Sequence, residues 1–149
     1  MSSKKKLNFE EFMALHRHWM WANIMREDFE SELAKKKVLK HPFPDRIGAY
    51  MSLWYGMLFG VLEVVKNKQI DIPGLEDMNS IYKPLKLFRN AVFHAQPKYW
   101  SPKLFEIIEH KDSVQKIRQI HGALGEYFLK TLRSRHGNWG GGSGPDNSI

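Results

Sequence analysis

The stretch IGAYMSLWYGMLFGVL, from Ile47 to Leu62, is sixteen consecutive residues without a charge. Arg46 and Glu63 bound it directly. It is shorter than the roughly 18–20 apolar residues that a membrane-spanning helix needs, and a helix that is apolar on all sides is typical of a core. We therefore expect a buried helix from about Arg46 to Asn67, capped by Asp45. A membrane-associated helix is the alternative interpretation of the same stretch.

The segment before this helix begins with a helix-capping signal. Asn8 followed by Glu11 is the Asn-x-x-Glu pattern in which each side chain bonds the other residue's backbone N–H. Apolar residues at three- and four-residue spacing continue to about Lys37, which predicts a long helix. The prolines of KHPFPD, residues 40–45, end it.

The segment after the central helix predicts two or three more helices. One runs from about Asn79 to Ala95 and ends before Pro97, because a residue that precedes proline is pushed out of the helical region. Ser101 and Pro102 start the next, as an N-cap followed by proline at the first helical position. Helix then continues to about Arg135, with a break near Lys111 and Asp112.

The fold class predicted is therefore all-α, as an up-and-down bundle of four to five helices. No period-two alternation indicates a strand. One domain is expected over residues 1–136. Residues 137–149 lie within the Gly/Ser-rich stretch HGNWGGGSGPDNSI and predict a flexible, disordered tail.

Composition narrows the classes of function. The chain of 149 residues has no cysteine, which excludes disulfides, thiol chemistry and cysteine-type zinc sites. Its net charge of +7 favours polyanions, either nucleic acid or anionic lipid, as partners. The N-terminus lacks the apolar run of a signal peptide, so a cytoplasmic location without a membrane is expected. His16 and His18 point to different helix faces, and no metal or other cofactor is expected.

The stretch LKLFRNAVFHAQPKYW, from Leu85 to Trp100, places polar groups inside an apolar helix. On a helical wheel, the core stripe is Ile81, Leu85, Phe88, Val92 and Ala95. Arg89 and His94 then diverge by about 140° around the helix. An arginine presents a fork of donors to phosphate oxygens, and a histidine can act as general acid or base near neutral pH. Together with Asn90, these side chains are enough for RNA cleavage without a metal.

The residues RNAVFH resemble the R-x(4–6)-H motif of the HEPN superfamily, with a polar residue directly after the arginine. This resemblance implies a metal-independent endoribonuclease of the kind found in toxin–antitoxin, abortive-infection and other antiviral defence systems. It implies a homodimer whose two motifs line one cleft, with Arg89 on the scissile phosphate, His94 as acid or base and Asn90 positioning them. An antitoxin or other defence-system protein is a further expected partner.

Other readings of the same residues remain open. The residues expected to contact RNA around the motif are Lys83, Lys86, Lys98, Tyr99, Trp100 and Lys103, although exposed lysines and loop aromatics also occur without such a role. Arg89 could instead pair with Glu63 or Glu126, and His94 could cap its helix. The alternative function is a non-catalytic nucleotide-, RNA- or protein-binding module of the same fold. Gly56 and Gly60 predict close helix packing, inside the bundle or at a dimer contact.

Overall fold

The computed structural model of the protein describes residues 6–35, 46–98, 101–109 and 112–137, which form five α-helices and no strand. The helices are α1 (Phe9–Lys35), α2 (Arg46–Asn67), α3 (Met78–Phe93), α4 (Pro102–Glu109) and α5 (Ser113–Gly137). The all-α prediction is confirmed, and the bounds of α2 are those expected. Gly137, the first residue of the predicted tail, is instead the last residue of α5, and residues 138–149 lie outside the described part of the chain.

The start of α1 is the predicted capping box. Asn8 Oδ1 accepts a hydrogen bond from the Glu11 N–H at 2.8 Å, and Glu11 Oε2 accepts one from the Asn8 N–H at 2.9 Å. Two of the N–H groups that a helix start leaves without partners are thereby satisfied. Lys68 Nζ lies 2.5 Å from the other oxygen of Glu11, which ties this end of α1 to the end of α2.

Helix α2 is the centre of the core, as its sequence predicts. Its fully buried side chains include Trp54, Tyr55, Leu58 and Phe59. The helix is long and apolar enough to cross a membrane by length and composition alone, and 56% of its most apolar window is buried inside the bundle. Packing in the core accounts for much of that apolar character.

The long helices run antiparallel to their neighbours, which the contacts along each pair show. Between α1 and α2, Lys68 meets Glu11 and Trp54 meets Phe29. Between α2 and α3, the paired rings move from Phe59–Tyr82 to Tyr55–Phe88. Between α1 and α5, the contacts move from Phe12–Phe128 to Glu30–Arg118. Helix α2 thus lies between α1 and α3. Helix α5 contacts α1, α3 and α4, and its His121 reaches Trp54 of α2.

Helix α3 ends two residues earlier than expected. Ile81, Leu85 and Phe88 of the predicted core stripe are buried, but Val92 is only half-buried and Ala95 is exposed beyond the helix. His94 has extended backbone angles (φ −122°, ψ 111°), and its N–H donates the last helical bond to the Asn90 carbonyl. The Gln96 side chain then donates to the His94 carbonyl at 2.6 Å. This local bond stabilises the early exit from the helix.

Candidate functional site

Arg89 is held against α2 by two contacts. Its Nη2 donates to Glu63 Oε2 at 3.3 Å, and its guanidinium carbon lies 4.8 Å from the centroid of the Phe59 ring. Glu63 is one of the two carboxylates, Glu63 and Glu126, that the sequence analysis gave as alternative partners of this arginine. The Arg89 Nε is buried and has no hydrogen-bond partner. The side chain keeps 33% of its surface exposed.

His94 occupies the C-cap position of α3 and is exposed. The capping role that the sequence offered for this residue is therefore present in its backbone. The chain after it is fixed through Gln96, whose amide nitrogen bonds the His94 carbonyl while its amide oxygen accepts from the Ser101 hydroxyl at 3.4 Å. Ser101 is buried and directly precedes Pro102, the first residue of α4, as predicted, and its carbonyl accepts a hydrogen bond from the Leu104 N–H at 3.0 Å. The imidazole thus extends from an anchored turn.

The other predicted site residues lie along α3 and in the segment that follows it. Asn90 is half-buried on the same turn as Arg89. The described lysines of the predicted RNA surface, Lys83, Lys86, Lys98 and Lys103, are all exposed. Tyr99 and Trp100 lie outside the described residues. The structure therefore collects the motif at one end of α3, with the arginine turned onto α2 and the histidine at the exposed end.

A surface with exposed rings runs from the motif across α2 to α1. The Phe93 ring, 55% exposed, covers Gly56, where an added Cβ would lie 2.7 Å from it. One turn along α2, a Cβ at Gly60 would lie 2.9 Å from the His18 ring of α1. His18 in turn lies 6.0 Å from the Trp21 ring, which is 47% exposed. We call the surface formed by Trp21, His18, Gly60, Gly56 and Phe93 the α2 face.

A second cluster of polar groups, which the sequence did not indicate, lies between α1 and α5. His121 is only 3% exposed, and its Nδ1 accepts a hydrogen bond from Trp54 Nε1 at 3.2 Å. Its Nε2 therefore carries the proton and donates to Asn23 Oδ1 at 2.9 Å. Burial, and then the nearby Arg26 charge, lower the pKa of His121 to about 4. The imidazole is neutral at physiological pH.

No sequence spacing links these groups, because His121 is 98 residues from Asn23 and 67 from Trp54. The described residues include no group of three His, Asp or Glu side chains arranged to hold a metal ion. The two clusters of polar groups differ in their access to solvent. The motif at the end of α3 is exposed, and the His121 imidazole is enclosed.

Comparisons with protein-family models, with curated proteins and with solved structures found no match to this chain. Function is therefore inferred from the residues and their geometry.

Proposed function

We propose that the protein is a metal-independent endoribonuclease of the HEPN type, acting as a homodimer. The observation that carries the proposal is the placement of the RNAVFH motif. Arg89 is oriented by Glu63 and Phe59, while His94 sits one residue beyond the helix on an exposed, hydrogen-bonded turn. Phosphodiester cleavage requires an oriented guanidinium and an accessible imidazole, and pairing two copies of the motif in a dimer would bring these groups together.

In the proposed reaction the RNA supplies its own nucleophile. The 2′-oxygen attacks the adjacent phosphorus and the bond from phosphorus to the 5′-oxygen breaks, leaving a 2′,3′-cyclic phosphate and a 5′-hydroxyl. One His94 takes the proton of the 2′-hydroxyl and a second, protonated His94 gives one to the departing 5′-oxygen. Arg89 stabilises the charge on the phosphorus species. Two imidazoles in one cleft require two protomers, because the chain has one such motif.

The α2 face supports the proposed dimer. Phe93 and Trp21 are large apolar side chains that expose about half of their surface on either side of the same stretch of α2. Exposed aromatic residues are enriched at protein interfaces. A second copy on this face would cover these rings and bring its own His94 near the first, because Phe93 directly precedes His94.

The proposed substrate-binding surface is basic. Lys83, Lys86, Lys98 and Lys103 are exposed around the motif and would contact the RNA backbone. Such contacts place the strand without reading its sequence. Single-stranded or looped RNA is the proposed substrate.

Cleavage of a labelled RNA hairpin in the presence of EDTA tests the proposal. We expect wild-type protein to produce fragments ending in a cyclic phosphate, and His94→Ala or Arg89→Ala to lower the rate at least 100-fold. Arg133→Ala, which removes an exposed arginine from α5, is the matched control and should leave the rate unchanged. Full activity in both motif variants would remove the assignment.

The Arg89–Glu63 pair favours a second candidate function. A carboxylate 3.3 Å from the guanidinium already occupies one of its terminal nitrogens. A non-catalytic module that binds nucleotide, RNA or protein would keep this arrangement without turnover. RNA binding by wild-type protein with no cleavage under any condition would favour this second function.

A further inference from the structure

A cleft of about 550 Å³ lies between the facing sides of α1 and α5, apart from the motif on α3. Its volume lies within the range of small-molecule sites, roughly 300–1,000 Å³. The α1 wall carries Trp19, Asn23, Arg26 and Glu30, and the α5 wall includes His121 and Gly122. The proposed ribonuclease reaction uses none of these residues.

One end of the cleft is charged, with one cation only weakly neutralised. Arg118 makes a two-pronged pair with Glu30, at 2.6 and 2.9 Å, so these charges cancel. Arg26 donates from Nε to the neutral Asn23 side chain at 3.1 Å, and its nearest carboxylate is that of Glu27 at 3.9 Å. The Glu27 side chain is 63% exposed, so water screens that pair. The charge of Arg26 is therefore only weakly neutralised, which favours binding of an oxyanion beside it.

The middle of the cleft is flat and apolar. The Trp19 ring lies 4.9 Å from the His121 ring, with 26° between their planes, and donates its N–H to the His121 carbonyl at 3.1 Å. The indole is therefore fixed in orientation. An aromatic ring held in the wall offers a planar ligand ring an apolar contact. Leu129, 42% exposed, adds apolar surface farther along α5.

Gly122 opens this part of the cleft, and no packing contact requires a glycine there. A Cβ added to Gly122 would meet nothing within 4 Å, whereas one added to Gly125 would lie 2.7 Å from the Trp19 ring. A glycine inside a helix is less stable than alanine. Close packing against Trp19 explains Gly125. The open space above Gly122 accounts for the second glycine if something occupies that space.

We propose that the α1–α5 cleft binds a small organic anion that carries a planar ring, with its oxyanion on Arg26 and its ring against Trp19 above Gly122. A carboxylate and a phosphate ester share this chemistry. The buried His121 holds the wall in place, because its ring nitrogens bond Asn23 and Trp54.

Calorimetric titration of the full chain tests the proposal with three probes: indole-3-acetate, its neutral analogue indole-3-ethanol, and adenosine 5′-monophosphate. We expect at least one anion to bind at least tenfold more tightly than the neutral alcohol. Arg26→Met should weaken anion binding at least tenfold, while Lys130→Met, which removes an exposed lysine elsewhere on α5, should not. The anion that binds more tightly identifies the oxyanion as a carboxylate or a phosphate.

Two substitutions at Gly122 separate binding from folding. Gly122→Leu should abolish anion binding by filling the space, with an unchanged circular dichroism spectrum. Gly122→Ala should raise the Tm by roughly 2–6 °C, since it relieves the cost of a helical glycine without a clash, and should weaken binding. Equal binding of the neutral alcohol, unchanged affinity in Gly122→Leu, or no binding of any probe at millimolar concentration would each overturn the proposal.

Discussion

His94 and His121 show how one residue type is put to opposite uses in this chain. His94 ends α3 in extended backbone and is exposed. His121 is 3% exposed between α1 and α5, with both ring nitrogens in hydrogen bonds. A histidine whose ring bonds are all made inside the protein is suited to holding elements together. An exposed histidine on an anchored turn is suited to meeting a substrate.

The largest expected difference between the two histidines is in stability. His121→Ala leaves the buried Trp54 N–H and the Asn23 side chain without their partner and opens a cavity. We expect it to lower the free energy of unfolding by about 3–4 kcal/mol. His94→Ala removes an exposed side chain and should change it by less than about 0.5 kcal/mol. Urea denaturation followed by circular dichroism measures both, and equal losses would contradict the contrast.

Low pH should destabilise the folded protein by protonating His121. Its pKa is about 4 in the folded chain and 6.5 when unperturbed, so the unfolded chain takes up a proton first as pH falls. The contribution of the neutral His121 to the free energy of unfolding is therefore fully present above about pH 6.5 and is lost as the pH falls toward 4. The loss is about 3.5 kcal/mol at most, at about 1.4 kcal/mol per unit of pKa difference. Burial also lowers the pKa values of His16 and His18, which adds loss in the same direction.

A pair of glutamine variants isolates the His121 contribution. Glutamine retains a donor and an acceptor but does not titrate near neutral pH. Unfolding free energies at pH 7.5, 6.5 and 5.5 should fall less steeply for His121→Gln than for wild-type protein. His94→Gln is the matched substitution at an exposed position. A wild-type slope in His121→Gln would mean that other groups carry the acid sensitivity.

Much of the fold follows from local sequence signals. The Asn8–Glu11 box and the Ser101–Pro102 pair each act within a few residues, and the structure begins α1 and α4 at these places. The sixteen-residue uncharged run lies wholly within α2. The predicted end of α3 lies two residues too late, because the Gln96 side chain bonds the His94 carbonyl and stabilises an earlier exit from the helix. Such a contact depends on the conformation of the turn, which the spacing of apolar residues does not determine.

The two polar clusters differ in how far sequence could predict them. Arg89, Asn90 and His94 lie in one short run, so their common location at the end of α3 could be expected. The His121 cluster joins α1, α2 and α5 across 67 and 98 residues, and no local pattern connects its members. The pairing of Arg89 with Glu63 was one of two options, and only the antiparallel packing of α2 and α3 selects Glu63 over Glu126.

The smallest expected effect concerns the ion pair beside the motif. Glu63→Gln should cost less than about 1 kcal/mol of stability, because both side chains are about one-third exposed or more and water screens the pair. In a His94→Ala background, which removes cleavage from the proposed reaction, the same change should tighten RNA binding up to about fivefold. A carboxylate that repels phosphate is lost, while Arg89 stays over Phe59.

Glu106→Gln, which neutralises an exposed carboxylate on α4, controls for the change in net charge. Fluorescence anisotropy with labelled RNA measures the change. Weaker binding would mean that Glu63 orients Arg89 more than it competes for it, and the guanidinium would then depend on this ion pair as His121 depends on Trp54 and Asn23.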